Sequence, residues 1–134
     1  MEEYDTFANR MEQRFPEIFG GKYGGFSCGP GWYPIIESLC NNIQSHIDWK
    51  NEQSHKYGRG EPVTQVAAVQ IKEKFGGLRF YYDGGDDMID GMVRMAEAWA
   101  SHSCEECGSP GTKRNGGWIR TLCDTHYQLY NSNQ

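Results

Sequence analysis

Four residues near the C-terminal end carry the clearest chemistry in the chain. Cys104 and Cys107 stand in Cys104-Glu105-Glu106-Cys107-Gly108, and Cys123 and His126 in Cys123-Asp124-Thr125-His126. Each pair has two intervening residues, a spacing that lets two side chains converge on one ion. Residues 108–122, between the pairs, are long enough for a hairpin that brings them together. The first pair belongs in a tight turn, with Gly108 suited to the backbone just after the second ligand. The second pair falls at the start of a final helix, CDTHYQLY, where residues i and i+3 project from one face. Three thiolates and one imidazole make a closed shell for a single Zn2+, with no position left for water or substrate, so the expected role is structural. A loop of reduced, metal-free cysteines leaves the paired spacing to coincidence. A redox pair of Cys104 and Cys107 lacks the strand and helix setting of a thioredoxin-like motif and does not use the second pair.

Other candidates are weaker. Lys113, Arg114 and Arg120 lie around Trp118 between the two pairs, and cations interleaved with a ring can follow a phosphate backbone and stack on a base. A solvated hairpin is the commoner meaning of such residues, and the four are candidates for nucleic-acid or partner contact alike. Trp118, with Tyr81, Tyr82 and the rings of residues 20–33, offers contact area of the kind favoured at interface hot spots, or those rings simply cover a small core. Glu105, Glu106 and Asp124 offset the three cations, and the 134-residue chain has a formal charge of −5, which argues against a generally basic nucleic-acid binder. A nuclease would need a histidine base on the hairpin. Residues 108–122 contain none, His126 is committed to zinc, and nothing near His102 orients it. Asp83, Asp86, Asp87 and Asp90 read as a turn residue, a helix N-cap and first-turn acids, and their spacing misses the calcium-loop pattern. Cys40 sits on an apolar stripe as a small core residue, Cys28 has no partner at metal spacing, and His46 and His55 belong to no nucleophile–base arrangement. With no catalytic constellation, the expected function is non-enzymatic.

The elements that position these residues follow from periodicity. Tyr4, Phe7, Ala8, Met11 and Phe15 recur at helical spacing and Pro16 ends them, giving a first helix over about residues 3–15. The segment GGKYGGFSCGPGW is too rich in glycine for regular structure and too aromatic for a bare linker. It reads as an ordered loop with its rings packed on the body. It is no phosphate loop, since it lacks the Gly-Lys-Ser/Thr ending and follows a helix. Pro34 opens a second helix with Ile36, Leu39, Cys40, Ile43 and Ile47 on one stripe. The polar run 51–62 reads as an exposed loop. QVAAVQIKEKFGGLRFYYDGG reads as two strands turning at Gly76-Gly77, with Leu78, Phe80 and Tyr82 alternating against Arg79 and Tyr81. Asp86 or Asp87 caps a third helix over about residues 87–101, with Met88, Ile89, Met92, Val93, Ala96 and Trp99 toward the core.

The expected class is therefore α+β: helices packed on a small antiparallel sheet. The expected organisation is a body over residues 1–101, a zinc-binding module over 102–130 packed on it, and a frayed tail over 131–134. No apolar run approaches the roughly eighteen residues of a membrane span. The charged, amphipathic start MEEYDTFANRMEQRF is unlike a signal peptide, so a cytoplasmic location is expected. That setting favours metal ligation over disulfides, as does the odd count of 5 cysteines.

The order of turn-borne pair, hairpin through Asn115-Gly116-Gly117-Trp118, and helix-borne pair resembles the treble-clef zinc fingers over about residues 102–130. More broadly, KEKFGGLRFYYDGG followed by CEECGSPG and GGWIRTLCDTH looks like a family of small uncharacterised proteins of tailed phages, prophages and bacteria. That likeness spans about residues 62–128, with weaker similarity in RFPEIFGGKYGG and GWYPIIESLC. It implies an accessory role and carries no assigned activity. The resulting expectation is a zinc-stabilised protein of phage or prophage type that binds a host macromolecule, most simply a protein, as in counter-defence. Nucleic-acid binding through the hairpin is the alternative, and a metal-assisted nuclease a third.

Overall fold

Apolar residues at helical and strand periods close a single core over most of the chain. The computed structural model describes residues 2–132. Helix α1 (Tyr4–Arg14) is followed by strand β1 (Phe26–Ser27), a 3-10 turn (Pro30–Trp32) and the long helix α2 (Tyr33–Tyr57). Then come β2 (Ala67–Lys74), β3 (Gly77–Asp83), α3 (Asp87–Ala100), the small hairpin β4 (Thr112–Arg114) and β5 (Arg120–Leu122), and α4 (Asp124–Ser132). The class is α+β, as the patterning implies. The main sheet has the order β1-β2-β3, with β1 parallel and β3 antiparallel to β2. The sheet is thus mixed, because the glycine-rich loop contributes a strand that its composition conceals.

Helix α1 buries Phe7, Ala8 and Met11 and stops before Pro16, where the α conformation is disfavoured. Its Phe7 ring stacks on Tyr33 of α2 at 4.0 Å, and Arg10 bridges Glu2 and Glu37, so α1 is held by both ring packing and charge. On α2 the expected stripe from Ile36 to Ile47 is buried. The helix does not end at the polar run, however. It continues through residues 51–57, leaving the core with a polar surface all round, and closes where Gly58 takes the left-handed conformation (φ 64°). Only 58–62 of the expected loop is irregular. Asn51 ties it back by exchanging hydrogen bonds with the backbone of Val63.

The β2–β3 hairpin turns at Phe75-Gly76, with φ of 52° and 80°, and Gly77 already pairs with Lys74. Two positive φ values define a type I′ connection, one residue earlier than Gly76-Gly77 suggests. A bulge at Val69 shifts the register, so Ala68 and Ile71 both face the core and Val69 is turned out. Leu78 and Phe80 pack on the same side.

Asp86 caps α3 by accepting a hydrogen bond from the Ile89 N–H at 3.0 Å, and it pairs with His46 of α2 at 2.8 Å. Burial pushes the Asp86 carboxyl up, but these two hydrogen bonds outweigh it and hold it below the usual carboxylate range. Ile89, Val93, Ala96 and Ala100 form the buried face of α3. Met88 and Trp99, expected in the core, are exposed, because α2 and the sheet cover a stripe one residue further round the helix. The frayed-tail expectation also changes: α4 runs through Ser132, and residues 133–134 lie outside the described residues.

Gly91 sits inside α3, and a Cβ built there meets nothing within 4 Å. Gly91→Ala is therefore expected to stabilise the fold by about 0.5–1 kcal/mol, the usual difference inside a helix. Urea unfolding at low protein concentration checks this, and an unchanged or lowered midpoint would contradict it.

Candidate metal centre

Cysteine and histidine converge at the C-terminal end because a turn and a helix start are stitched to the same short hairpin. The first pair lies in a loop closed on itself: the Gly108 N–H donates to the Cys104 carbonyl at 2.8 Å, and the Cys104 N–H to the Ser109 carbonyl at 2.7 Å. Gly108 has φ 81°, the left-handed geometry expected just after the second cysteine. The loop is joined to β5 by the Glu105 N–H donating to the Thr121 carbonyl at 3.0 Å. The second pair opens α4, with the Tyr127 N–H donating to the Cys123 carbonyl and the His126 N–H to Cys123 Sγ at 3.4 Å.

All four ligand atoms lie within 4.8 Å of one another. Cys107 Sγ and Cys123 Sγ are 3.8 Å apart, and His126 Nδ1 is 3.3 Å from Cys123 Sγ and 3.7 Å from Cys104 Sγ. Bond lengths of about 2.3 Å to sulfur and 2.0 Å to nitrogen place tetrahedral zinc ligands about 3.5–3.8 Å apart. A disulfide would need about 2.05 Å. The donor set and its spacing are therefore compatible with one zinc site. Ser109, through its side chain and backbone, holds the Cys107 thiol down at about 6. The His126 N–H lowers Cys123 in the same way, whereas burial raises Cys104. Among the described residues this is the one group of three or more His, Cys, Asp or Glu side chains that could share an ion.

The glycine-rich loop is the seat of this unit, a role its sequence did not disclose. A Cβ at Gly31 would overlap the Cys104 carbonyl, and one at Gly29 would overlap the Glu105 backbone. The Gly29 N–H donates to the Glu105 carboxylate at 2.8 Å, the Gly31 N–H to the Glu105 carbonyl at 2.7 Å, and Trp32 Nε1 to the Ser103 carbonyl at 2.9 Å. Glu105 is thus only 5% exposed, with its charge met by the Gly29 N–H and by Arg120. On the far side Thr121, 1% exposed, donates its hydroxyl to the Gly76 carbonyl at 2.6 Å, which locks the small hairpin across the β2–β3 turn.

The contact candidates fall on two faces. Trp118 stands at the tip of the β4–β5 hairpin, 79% exposed. Arg114 lies over the Tyr127 ring and bonds to the Leu122 carbonyl and Asp124, while Arg120 lies over Tyr130 and bonds to Glu106. Both cations are therefore engaged within the chain, and Lys113 is the exposed one. His102 is exposed in the turn after α3, and none of the described residues hydrogen-bonds its ring. Cys28 is half-buried and its thiol is pushed up to about 12 by burial, then by Glu105 and Glu73; Cys40 is buried in the core. The sequence reading missed Phe75, which is 66% exposed and lines a groove with Trp118 and Ile119. Nothing in its spacing marks it. Only the tight turn places it beside the second hairpin.

Comparison with protein families, with curated proteins and with solved structures finds no match to this chain.

Helix α4 buries no side chain. With zinc in the shell, its fold depends on the ion, so strong chelation is expected to melt its nine helical residues while the core of α1–α3 and the main sheet stays folded. Circular dichroism and amide exchange before and after chelation test this. Full protection of α4 without metal would contradict it.

Proposed function

We propose that this chain is a non-enzymatic binding protein, in which one structural Zn2+ held by Cys104, Cys107, Cys123 and His126 fixes a small hairpin, and in which Phe75 and Trp118 engage another protein. The supporting observation is Phe75 itself. It is a large ring, mostly exposed, on a residue with φ 52°. The left-handed conformation costs a non-glycine residue about 1–2 kcal/mol, and an exposed ring returns little of that in folding. A strained, outward aromatic beside an exposed tryptophan fits an interface hot spot better than a structural role.

The engagement of Arg114 and Arg120 by Asp124, Glu106 and the tyrosine rings favours a protein partner over nucleic acid, because it leaves Lys113 as the one free cation among Lys113, Arg114 and Arg120. A closed Cys3His shell supports a structural ion, which would hold the hairpin and α4 and offer no site for substrate. The family resemblance belongs to the same proposal: an accessory protein of phage or prophage type acting in the host cytoplasm, with inhibition of a host defence protein as the role such a surface would serve. No helix among the described residues is long and apolar enough to cross a membrane.

Affinity capture from bacterial lysate, with the wild type and Trp118→Ala and Phe75→Ser variants compared at equal zinc content, tests the proposal. A defined protein partner is expected, with binding weakened about thirtyfold or more by Trp118→Ala. Recovery unaffected by either substitution, or no partner above background, would count against it. Salt-dependent retardation of DNA or RNA that is lost in Lys113→Ala would favour nucleic acid instead.

A further inference from the structure

Helix α3 carries two apolar stripes, and the core uses only one. Ile89, Val93, Ala96 and Ala100 face inward. Met88, Met92, Met95 and Trp99 make a second row, of which Met88, Met95 and Trp99 are 60, 70 and 51% exposed. Met92, Met95 and Trp99 of this row line a groove between α2 and α3 that has Ile35 and Leu39 on its other wall and no charged side chain in its lining, and Met88 continues the row beyond it. Gly91 lies in the same lining, at a helix-interior position where internal packing gives no reason for a glycine, since a Cβ there meets open space. A missing side chain on an exposed helix lets another helix approach closely.

We infer that this groove is a self-association site, in which α3 packs antiparallel against α3 of a second copy about a two-fold axis. The spacing of the row supports that occupant. Its steps of four, three and four residues read the same in both directions, so an antiparallel copy sets Met88 against Trp99 and Met92 against Met95. That is the self-complementarity a two-fold contact requires. The area agrees as well. Side chains of roughly 150–250 Å2 at these exposures leave on the order of 300–400 Å2 uncovered on one copy, within the range of the largest apolar patch on a monomer. Two such rows give roughly 600–800 Å2, and the groove walls at Ile35, Leu39 and Gly91 bring the total toward the roughly 1,000 Å2 lower bound for a specific interface, which points to a weak dimer set by concentration. The row shares no residue with the Phe75–Trp118 surface, so a dimer would present two copies of that surface.

Sedimentation equilibrium of the zinc-loaded full chain, from roughly 5 µM to roughly 500 µM, brackets the affinity expected of so small an interface. The average mass is expected to rise from 15.3 kDa toward twice that value. Met95→Lys is expected to weaken association at least about thirtyfold, as for an interface hot spot, with helix content and zinc content unchanged because Met95 is exposed. Met88→Lys, at the other end of the row, is expected to act alike, and Trp118→Ala to leave the mass unaffected. A chain that stays monomeric throughout, its groove then left for a different protein, overturns the inference. So does a dimer that Met95→Lys and Met88→Lys leave intact.

Discussion

The C-terminal quarter of the molecule is organised around four ligand atoms that lie within 4.8 Å of one another. Beyond the contacts that seat it on the body, this unit has little core of its own. α4 buries no side chain, and β4 and β5 are three residues each. Under the proposed function, an ion bound by two residues before the hairpin and two after it would replace the missing core, since the binding free energy of a structural metal becomes folding free energy. Direct contacts with the glycine-rich loop and the β2–β3 turn fix the unit's orientation on the body. Cys104 and Glu105 sit so close to Gly29 and Gly31 that backbone meets backbone there, and only glycine fits. The Cys104–Gly108 turn, a glycine seat and the Thr121–Gly76 hydrogen bond together set one hairpin across the turn of another.

That crossing explains what the surface offers. Each hairpin tip alone would be a small polar turn with one ring. Brought together, Phe75 and Trp118 share a groove. The arginines behind them are drawn inward by Asp124, Glu106 and two tyrosine rings, so the charges steady α4 against the hairpin more than they advertise a phosphate site. These are part-exposed pairs of modest individual worth, and their effect lies in geometry. Rigid aromatic area on a fixed frame is what a protein contact uses at low entropic cost.

Much of this was legible in the sequence, for identifiable reasons. Metal-ligand spacing is local, so Cys104, Cys107, Cys123 and His126 could be grouped without knowing the fold. Helical periodicity locates α1 and α3 to within a residue or two, and the place before an apolar run narrows the α3 cap to Asp86 or Asp87, of which the structure uses Asp86. What stayed hidden was tertiary. The end of α2 was obscured because its last turns leave the core and lose their apolar stripe, so a helix looked like a loop. The hairpin turn was assigned to Gly76-Gly77 because a glycine pair is the stronger local signal, whereas the register fixed by the Val69 bulge puts Phe75 in the turn. Met88 and Trp99 were placed inside because two apolar rows on one helix cannot be ranked without knowing what covers them. The glycine loop could be read as ordered, but its purpose lay in a close approach to residues more than seventy positions away.

X-ray absorption at the zinc edge of the purified chain is the most direct measurement of the metal site. A shell of three sulfur neighbours near 2.3 Å and one nitrogen near 2.0 Å, at one zinc per chain, is the expected result. Substoichiometric zinc, or a shell containing oxygen from water, would contradict a closed structural centre and return those four side chains to the list of groups free to do chemistry.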